Sequence, residues 1–446
     1  MSGHASADVT REEIVRVIQN KPMPKAVRTL GLVLLTLGGA LFIFGVATGN
    51  QRAWTAFHMN WLYFTIIASA AVTVTAVQRL TTARWSRGVI RLVEGFVAFL
   101  PIAFVFLLII IFFGRDHIYP WWNLVGTADL VPEKNAYLNH GFFWARSLLI
   151  FGAITAFSLW YIWTSVRLDV GVTPDEGSNW AAGLRARMRA GFRDERRELH
   201  STHSLQGKLA VVLVLLFGMG WVVLAWDHSM SLDYHFFSTM YGWQVFMGAW
   251  VAMLMIWALL LRWWRNHLGA HHLITENHFH DVGKLCFAFT AFWGYITFAQ
   301  YLVIWYGNLA EETHFFRLRL IDPWKVTTLA AGTLGFVLPF FGLLSVAAKK
   351  FTPTMGLFAL CSIAGIWLSR YTEIYPSVYG TSVTALPLGV WEFGIAGLYL
   401  GAFILSYAAF MDAFPKMRVF LMTSPHRDEV QVPVNPETME PLPAHE

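Results

Sequence analysis

The chain has 446 residues, and its composition excludes an ordinary water-soluble protein. Hydrophobic residues make up 56% of the sequence and charged residues only 14%, whereas soluble domains carry about 25% charged residues. So few charges cannot cover a water-exposed surface, and the composition therefore indicates an integral membrane protein. The two cysteines, Cys286 and Cys361, exclude a disulfide framework, a cysteine-ligated iron–sulfur cluster and a C-x-x-C-H haem attachment.

Ten stretches have the length and apolar character of membrane helices, which need about 20 residues each. We predict an all-α membrane protein whose ten helices form a domain over residues 28–411, between an N-terminal arm, 1–27, and a C-terminal tail, 412–446. Runs such as 102–113 do not alternate apolar and polar residues, which excludes an outer-membrane barrel. The predicted spans are 29–48, 58–78, 92–113, 141–165, 208–226, 237–261, 282–305, 326–348, 352–370 and 386–410.

The distribution of basic residues predicts that both termini are cytoplasmic. Of the 33 Lys and Arg, 24 fall on the side of the N-terminus and seven on the other side, and cytoplasmic loops are enriched in Lys and Arg. The net charge of +5 is therefore a signature of topology, and we expect no nucleic-acid binding. The tail from residue 421 is rich in Pro and Glu, which predicts that it is disordered by itself.

The longest inside loop, 167–207, admits two interpretations. Trp180, Leu184, Met188 and Phe192 recur every fourth residue opposite several arginines. This pattern is typical of a helix that lies on the inner leaflet. The alternative is a solvated loop whose arginines only set the topology.

The positions of the 16 histidines argue against a haem in this chain. We expect every histidine to lie outside a span or at its very end, whereas a haem b held between membrane helices needs axial ligands deep in the bundle. Five histidines lie within 267–280. Their spacing matches no fixed ligand pattern, so we predict a polar loop there, with metal binding as the alternative.

Polar residues gather at the predicted outer ends of several spans. Such side chains are costly within apolar spans and usually face a bundle interior or a cavity. A histidine beside an aspartate can also accept protons near neutral pH. We therefore predict a proton-exit site, with simple capping of a short turn as the alternative. The candidate residues are Asp227, His228, Asp233, His235, Tyr241, Gln244, Gln300, Tyr301, Arg370 and Glu373.

A second set of polar residues lies at the predicted inner ends. Glu94 begins the third span, Asp281 and Lys284 open the seventh at a spacing that suits an ion pair, and Thr73 lies in the inner half of the second. These groups are candidates for an inner proton path. The alternative is that they only fix the helix ends at the membrane surface.

Two stretches carry a family resemblance. WDHSMSLDYHFFSTMYGWQVFMGA at 226–249 and the stretch 280–313, with its distinctive run FAQYLVIWYGN at 298–308, resemble the F subunit of bacterial alternative complex III. That complex is a quinol:electron-acceptor oxidoreductase, and its membrane subunits are of the NrfD/polysulfide-reductase type. The ten-span pattern extends the resemblance over the whole chain.

The resemblance implies a fold, partners and a location. The spans would form two four-helix bundles, about 58–226 and 237–370, flanked by the first and last spans in the bacterial inner membrane among lipids. The partners would be a C-type sister subunit, an iron–sulfur B subunit, c-type cytochrome subunits, small membrane subunits and a terminal oxidase. Menaquinol or ubiquinol would be the electron donor, and haem c and iron–sulfur clusters would belong to the partners. The outer residues would then form a quinol or proton-exit site, although the C-type sister is the better-supported quinol site.

Two other functions remain open from the sequence. A free-standing secondary transporter often has helices broken at mid-membrane, and Pro101 and Pro339 are the strongest candidates for breaks or kinks. We expect no buried charge at mid-depth in any span, which weighs against an ion-coupled transporter. A purely structural anchor subunit would share every feature except a quinone pocket.

Overall fold

The computed structural model describes residues 10–19, 21–127, 130 and 132–430, and these residues form helices and no strand. Ten helices are long and apolar enough to cross a membrane, which confirms the all-α prediction and indicates a multi-pass membrane protein. The first nine residues of the predicted arm and the tail from 431 lie outside the described residues. The helices are α1 (Lys25–Ala47), α2 (Gln51–Leu80), α3 (Arg91–Ile118), α4 (His140–Val172), α5 (Glu195–Leu232), α6 (Thr239–Leu268), α7 (Glu276–Gly307), α8 (Lys325–Gly342), α9 (Thr352–Tyr379) and α10 (Val390–Ala413).

Two enclosed helices organise the bundle. α2 and α6 are buried along most of their length, since each packs against helices on several sides. α2 packs with α3, α4 and α5, and α6 packs with α7 and α9, while α8 packs on α9. The two four-helix groups meet where α2 contacts α6 and α9.

The first and last membrane helices pair with each other. A Cβ atom on Gly38 of α1 would lie 2.5 Å from the carbonyl oxygen of Gly394 in α10, and one on Gly401 would lie 2.4 Å from the backbone nitrogen of Leu35. Small residues allow helix backbones to approach this closely in a membrane. The pair packs against α2 and α3, on one side of the first bundle.

The chain crosses between two faces. Residues 10–24 and 414–430 lie at one end of the helices, which we call the terminal face; the opposite end is the loop face. Arg11, near the start of the described chain, donates to Thr423 near its end at 3.2 Å. Both described ends of the chain therefore meet on one side.

Several helices extend beyond their predicted spans, and two of these differences affect the site. α2 begins at Gln51, so that His58 lies about two turns inside it. α9 continues to Tyr379, so that Arg370 and Glu373 lie within the helix. All three of these polar side chains are buried. Hydropathy underestimates such helix ends because it assumes lipid around residues that face protein.

The loop between α4 and α5 is folded against the membrane domain. A helix of eight residues, Ala182–Arg189, buries Met188, while Trp180 remains 60% exposed. Arg185 binds Asp175 at 2.7 Å and the carbonyl oxygen of Ala413 at 3.1 Å. Arg185 therefore makes tertiary contacts, unlike an arginine of a solvated loop, and the helix ends before it reaches Phe192.

The two prolines that the sequence marks as candidates for kinks, Pro101 and Pro339, lie at changes in helical winding. In α3, a 3₁₀ turn over Gly95–Phe99 precedes Pro101, and in α8 a π turn over Thr333–Val337 precedes Pro339. Proline has no N–H to donate and its ring crowds the preceding turn, so the regular ladder of hydrogen bonds is interrupted there.

We expect Gly365→Ala to destabilise the second bundle. A Cβ atom at Gly365 in α9 would lie 2.1 Å from the backbone nitrogen of Gly335 in α8. Overpacking of this kind costs about 1–3 kcal/mol. Thermal unfolding in mild detergent should show a lower Tm for Gly365→Ala. Gly356→Ala is the matched control, because a Cβ atom there meets nothing within 4 Å; equal Tm values for the two variants would contradict the expected clash.

Candidate functional site

Four buried side chains from four segments form a hydrogen-bonded chain near the loop face. The Tyr119 hydroxyl lies 2.6 Å from Nδ1 of His228 in α5 and 3.5 Å from Nε2 of His58 in α2. Nε2 of His228 lies 3.1 Å from the hydroxyl of Ser147 in α4. Each residue is at most 1% exposed. We call His58, Tyr119, Ser147 and His228 the histidine network.

The histidine network is closely packed. The ring centroid of His228 lies 4.9 Å from that of Trp61, 5.3 Å from Phe143 and 5.9 Å from His58. The Tyr119 ring packs beside both imidazoles, 5.5 Å from His58 and 6.0 Å from His228, so neither a porphyrin nor a quinol head group fits among these rings as they are packed. Burial raises the pKa of Tyr119 well above its usual value, with a further contribution from the Asp227 carboxylate. Tyr119 therefore stays protonated and passes a proton only by accepting one while donating another.

The expectation that every histidine lies outside a span or at its end is wrong. His58 is inside α2 and fully buried. Its Nδ1 atom has no hydrogen-bond partner among the described residues. The open nitrogen of this buried imidazole can still donate or accept one further hydrogen bond.

An ion pair lies beside the histidine network. The Arg146 guanidinium in α4 donates to both carboxylate oxygens of Asp227, at 2.8 Å and 2.6 Å. The Asp227 side chain is fully buried and that of Arg146 is 9% exposed. The guanidinium also sits 4.0 Å from the ring centre of Tyr137. The sequence predicted Asp227 as a site residue, and the structure shows that it is the counter-charge of Arg146, for which the sequence predicted no role.

A second buried network surrounds Glu373. Arg370 donates to Oε1 of Glu373 at 2.6 Å, and Ser369 donates to the same oxygen at 3.0 Å. Gln244 approaches it at 3.4 Å. Oε2 of Glu373 and two nitrogens of Arg370 have no partner among the described residues. These charges lie inside α9, toward its loop-face end, whereas the sequence predicted that the helix ends at residue 370.

Tyr241 and Ser229 lie between the two networks. The two hydroxyls are 2.7 Å apart, and Ser229 directly follows His228 in the chain. The described structure thus brings together two groups of predicted residues at the junction of the bundles. Those it brings together are Asp227, His228, Tyr241, Gln244, Arg370 and Glu373.

Four predicted residues lie outside these networks. Asp233 is half-buried and His235 is exposed. Gln300 donates to the hydroxyl of Ser238 at 3.1 Å, and Tyr301 packs edge-on against a phenylalanine ring. The last turns of α5 therefore contribute Asp227 and His228 to the interior, and the turn after α5 presents His235 to the surroundings.

At the terminal face, four charges form a buried cluster. Glu94 binds Arg91 at 2.5 Å and also Arg418, which follows α10, and it accepts a hydrogen bond from Ser165 at 2.9 Å. Asp169 in α4 binds Arg91. We call Arg91, Glu94, Asp169 and Arg418 the Glu94 cluster. Its two cations and two anions balance.

The other predicted inner residues do not join the Glu94 cluster. Asp281 and Lys284 form the predicted ion pair at 2.8 Å, but the lysine side chain is 57% exposed. Thr73 donates to the carbonyl oxygen of Ser69, one turn earlier in its own helix, at 2.9 Å. These groups therefore form no continuous path with Glu94 through direct hydrogen bonds among the described residues.

Three of the five histidines of 267–280 contact three different parts of the protein. His267 contacts the carbonyl oxygen of Pro22, His272 lies 3.3 Å from Glu13, and His278 caps the start of α7 through Thr275. Within the described ranges, no group of three His, Cys, Asp or Glu side chains is arranged to hold a metal ion.

Comparison with known proteins adds no family to this picture. No protein-family model matches the chain, and no curated protein matches it. A function therefore has to be argued from the residues and their geometry.

Proposed function

We propose that this chain is an integral membrane subunit of a quinol oxidoreductase of the alternative complex III type. In this role it has no redox centre of its own and conducts protons toward the loop face. The terminal face lies in the cytoplasm of a bacterial cell, and the partners are a C-type sister subunit, an iron–sulfur subunit and c-type cytochromes. The resemblance of 226–249 and 280–313 and the ten-helix architecture support this proposal.

The observation that carries the proton role is the histidine network. His58, Tyr119 and His228 place titratable or hydroxyl groups in series across three segments, inside a part of the protein from which bulk water is excluded. A neutral imidazole accepts a hydrogen bond at one nitrogen and donates one at the other, so it can pass a proton along such a chain. Arg146, paired with Asp227, fixes the end of α4 against the end of α5 beside this chain.

The chemistry of quinol oxidation fits a subunit of this kind. Oxidation of one quinol to quinone releases two electrons and two protons. The electrons pass to haem and iron–sulfur centres in the partner subunits. The protons need a path of hydrogen-bonded groups, and the histidine network supplies one. A quinol head group does not fit among its packed rings, and in this proposal the quinol binds in the sister subunit, as the family resemblance implies.

We expect His228→Ala to slow turnover of the assembled complex by about tenfold or more, since positioned proton-transfer groups contribute about 10²–10⁴-fold. His235→Ala, an exposed histidine seven residues later, is the matched control and should leave turnover unchanged. The measurement is quinol-dependent electron transfer, together with proton release from oriented vesicles. Full turnover and full proton release in correctly assembled His228→Ala complexes would remove the network from the mechanism.

Purification in mild detergent separates this proposal from its alternatives. We expect the chain to co-purify with subunits that contain c-type haem and iron–sulfur clusters. A chain that purifies alone would favour a transporter. Co-purification with unaltered activity in the His228→Ala complex would favour a purely structural anchor.

A further inference from the structure

A cavity of about 60 Å³, lined by both polar and apolar side chains, lies at the terminal face of the first bundle. A volume of this size holds a few water molecules. Its walls come from α2, α4 and α5 and from the segment that follows α10. The polar residues around it include Thr75, Gln78, Arg79, Ser165, Thr202 and Gln206.

The segment 414–430 forms one wall of this cavity. Arg418 reaches past the cavity to the Glu94 carboxylate. The backbone N–H of Phe420 donates to Oδ1 of Asp169 at 2.8 Å. The Phe420 ring is fully buried against Leu168 and Leu199. The segment is therefore attached through two of the buried carboxylates as well as through an apolar contact.

The far end of the segment is held by exposed polar contacts. Asp428 accepts from Arg87 at 2.7 Å, and Glu429 accepts from Arg196 at 2.7 Å. Nδ1 of His426 lies 2.7 Å from the other oxygen of Glu429. Hydrogen bonds from His426 and Arg196 lower the pKa of Glu429 to about 2, so that the carboxylate is ionised at neutral pH. Exposed ion pairs of this kind are individually weak.

We propose that residues 414–430 are a strap that covers one side of this cavity, and that release of the contacts of Asp428 and Glu429 widens its access to water from the terminal face. The exposed contacts of Asp428 and Glu429 hold the outer end of the strap. The buried contacts of Arg418 and Phe420 hold its root, the end next to α10. Opening can therefore begin at the outer end without breaking the Glu94 cluster, as local opening does in other proteins.

Full opening changes the charge of the interior. When the root also leaves, Arg418 goes with it, and the cluster that remains carries two carboxylates and only Arg91. Its net charge becomes negative and its surroundings become wet, a state that favours uptake of a proton or another cation. The strap thus determines whether solutes at the terminal face reach Glu94, whatever reaction the complex catalyses.

Thiol labelling of the full chain in inside-out membranes tests the strap. Cys286 and Cys361 are first replaced by alanine and serine. Thr202→Cys then reports on the cavity, because Thr202 lines it and is buried. We call the contacts of Asp428 and Glu429 the latch, and the latch variant Asp428→Asn/Glu429→Gln weakens them. In this variant we expect a membrane-impermeant maleimide to label the thiol about tenfold faster, since weak surface contacts limit the opening. Equal rates with and without the latch substitutions would overturn the proposal.

Two controls make the result specific. Val282→Cys places a thiol at a buried site near the terminal end of α7 that does not line this cavity, and its labelling should be unaffected by the latch substitutions. Faster labelling there would indicate general unfolding instead of strap release. Glu429→Arg should speed labelling of Thr202→Cys, and the charge swap Arg196→Glu/Glu429→Arg should slow it again. Failure of the swap to slow labelling would refute the latch.

Discussion

Glu94→Leu is expected to lower the free energy of unfolding by about 3–5 kcal/mol, because loss of one partner leaves an uncompensated charge in the interior. Arg91 and Arg418 would then share only Asp169. Unfolding of the purified chain in mixed detergent, followed by tryptophan fluorescence, measures the loss.

Two variants accompany the Glu94 measurement. Glu94→Leu/Arg418→Met should recover part of the lost stability, since it removes the buried cation along with the anion. Asp281→Leu breaks an ion pair of the same i, i+3 kind as Arg91 with Glu94, but at an exposed position, and should cost at most about 1 kcal/mol. A similar loss for Glu94→Leu and Asp281→Leu would mean that the burial of Glu94 does not matter energetically.

Asp227→Leu is the second substitution with a large expected effect, again about 3–5 kcal/mol. It leaves the Arg146 guanidinium without the carboxylate that accepts two of its hydrogen bonds. Arg146→Met/Asp227→Leu should be more stable than Asp227→Leu alone. The half-buried Asp233 gives the matched control, and Asp233→Leu should change the unfolding free energy by about 1 kcal/mol or less. If the double variant is no more stable than Asp227→Leu, the pair is not coupled.

The sequence predicts the ten helices well because lipid imposes one strong rule, a long apolar run for each crossing. It fails where a helix faces protein. The first turns of α2 contain Gln51, Arg52 and His58, and hydropathy reads them as a loop. In the structure Arg52 binds Glu392 of α10 at 2.8 Å, and His58 faces Tyr119. These polar groups have hydrogen-bond or ion-pair partners within the protein. A hydropathy scale based on transfer to lipid therefore overestimates the cost of placing them in this helix.

The candidate site is predicted in part, for a related reason. Asp227 and His228 stand out as a polar pair at a helix end, but their partners Arg146 and Ser147 are each 81 residues away in the chain. Spacing along one helix does not reveal which helix packs beside it. One signal was present: a single arginine inside a span needs a buried counter-charge, and Arg146 met that description.

Composition predicts disorder from residue 421, but the structure describes the chain as far as residue 430. A polar, proline-rich sequence predicts disorder because it lacks apolar surface to bury. Here Phe420, just before this stretch, is buried in an apolar cluster, and its N–H donates to the buried Asp169 carboxylate. Within the stretch, Asp428 and Glu429 bind arginines of the membrane domain. These partners belong to other parts of the chain, so the composition of the tail itself does not reveal them.

The pairing of α1 with α10 has a consequence for how the chain is made. Glycines on both helices, Gly38 and Gly401 among them, give this contact its backbone-to-backbone fit. During translation α1 leaves the ribosome first and α10 last, so α1 must reside in the bilayer while the eight helices between them are synthesised. A chain interrupted before residue 390 therefore exposes a glycine-lined surface, which quality-control proteases of the membrane can recognise.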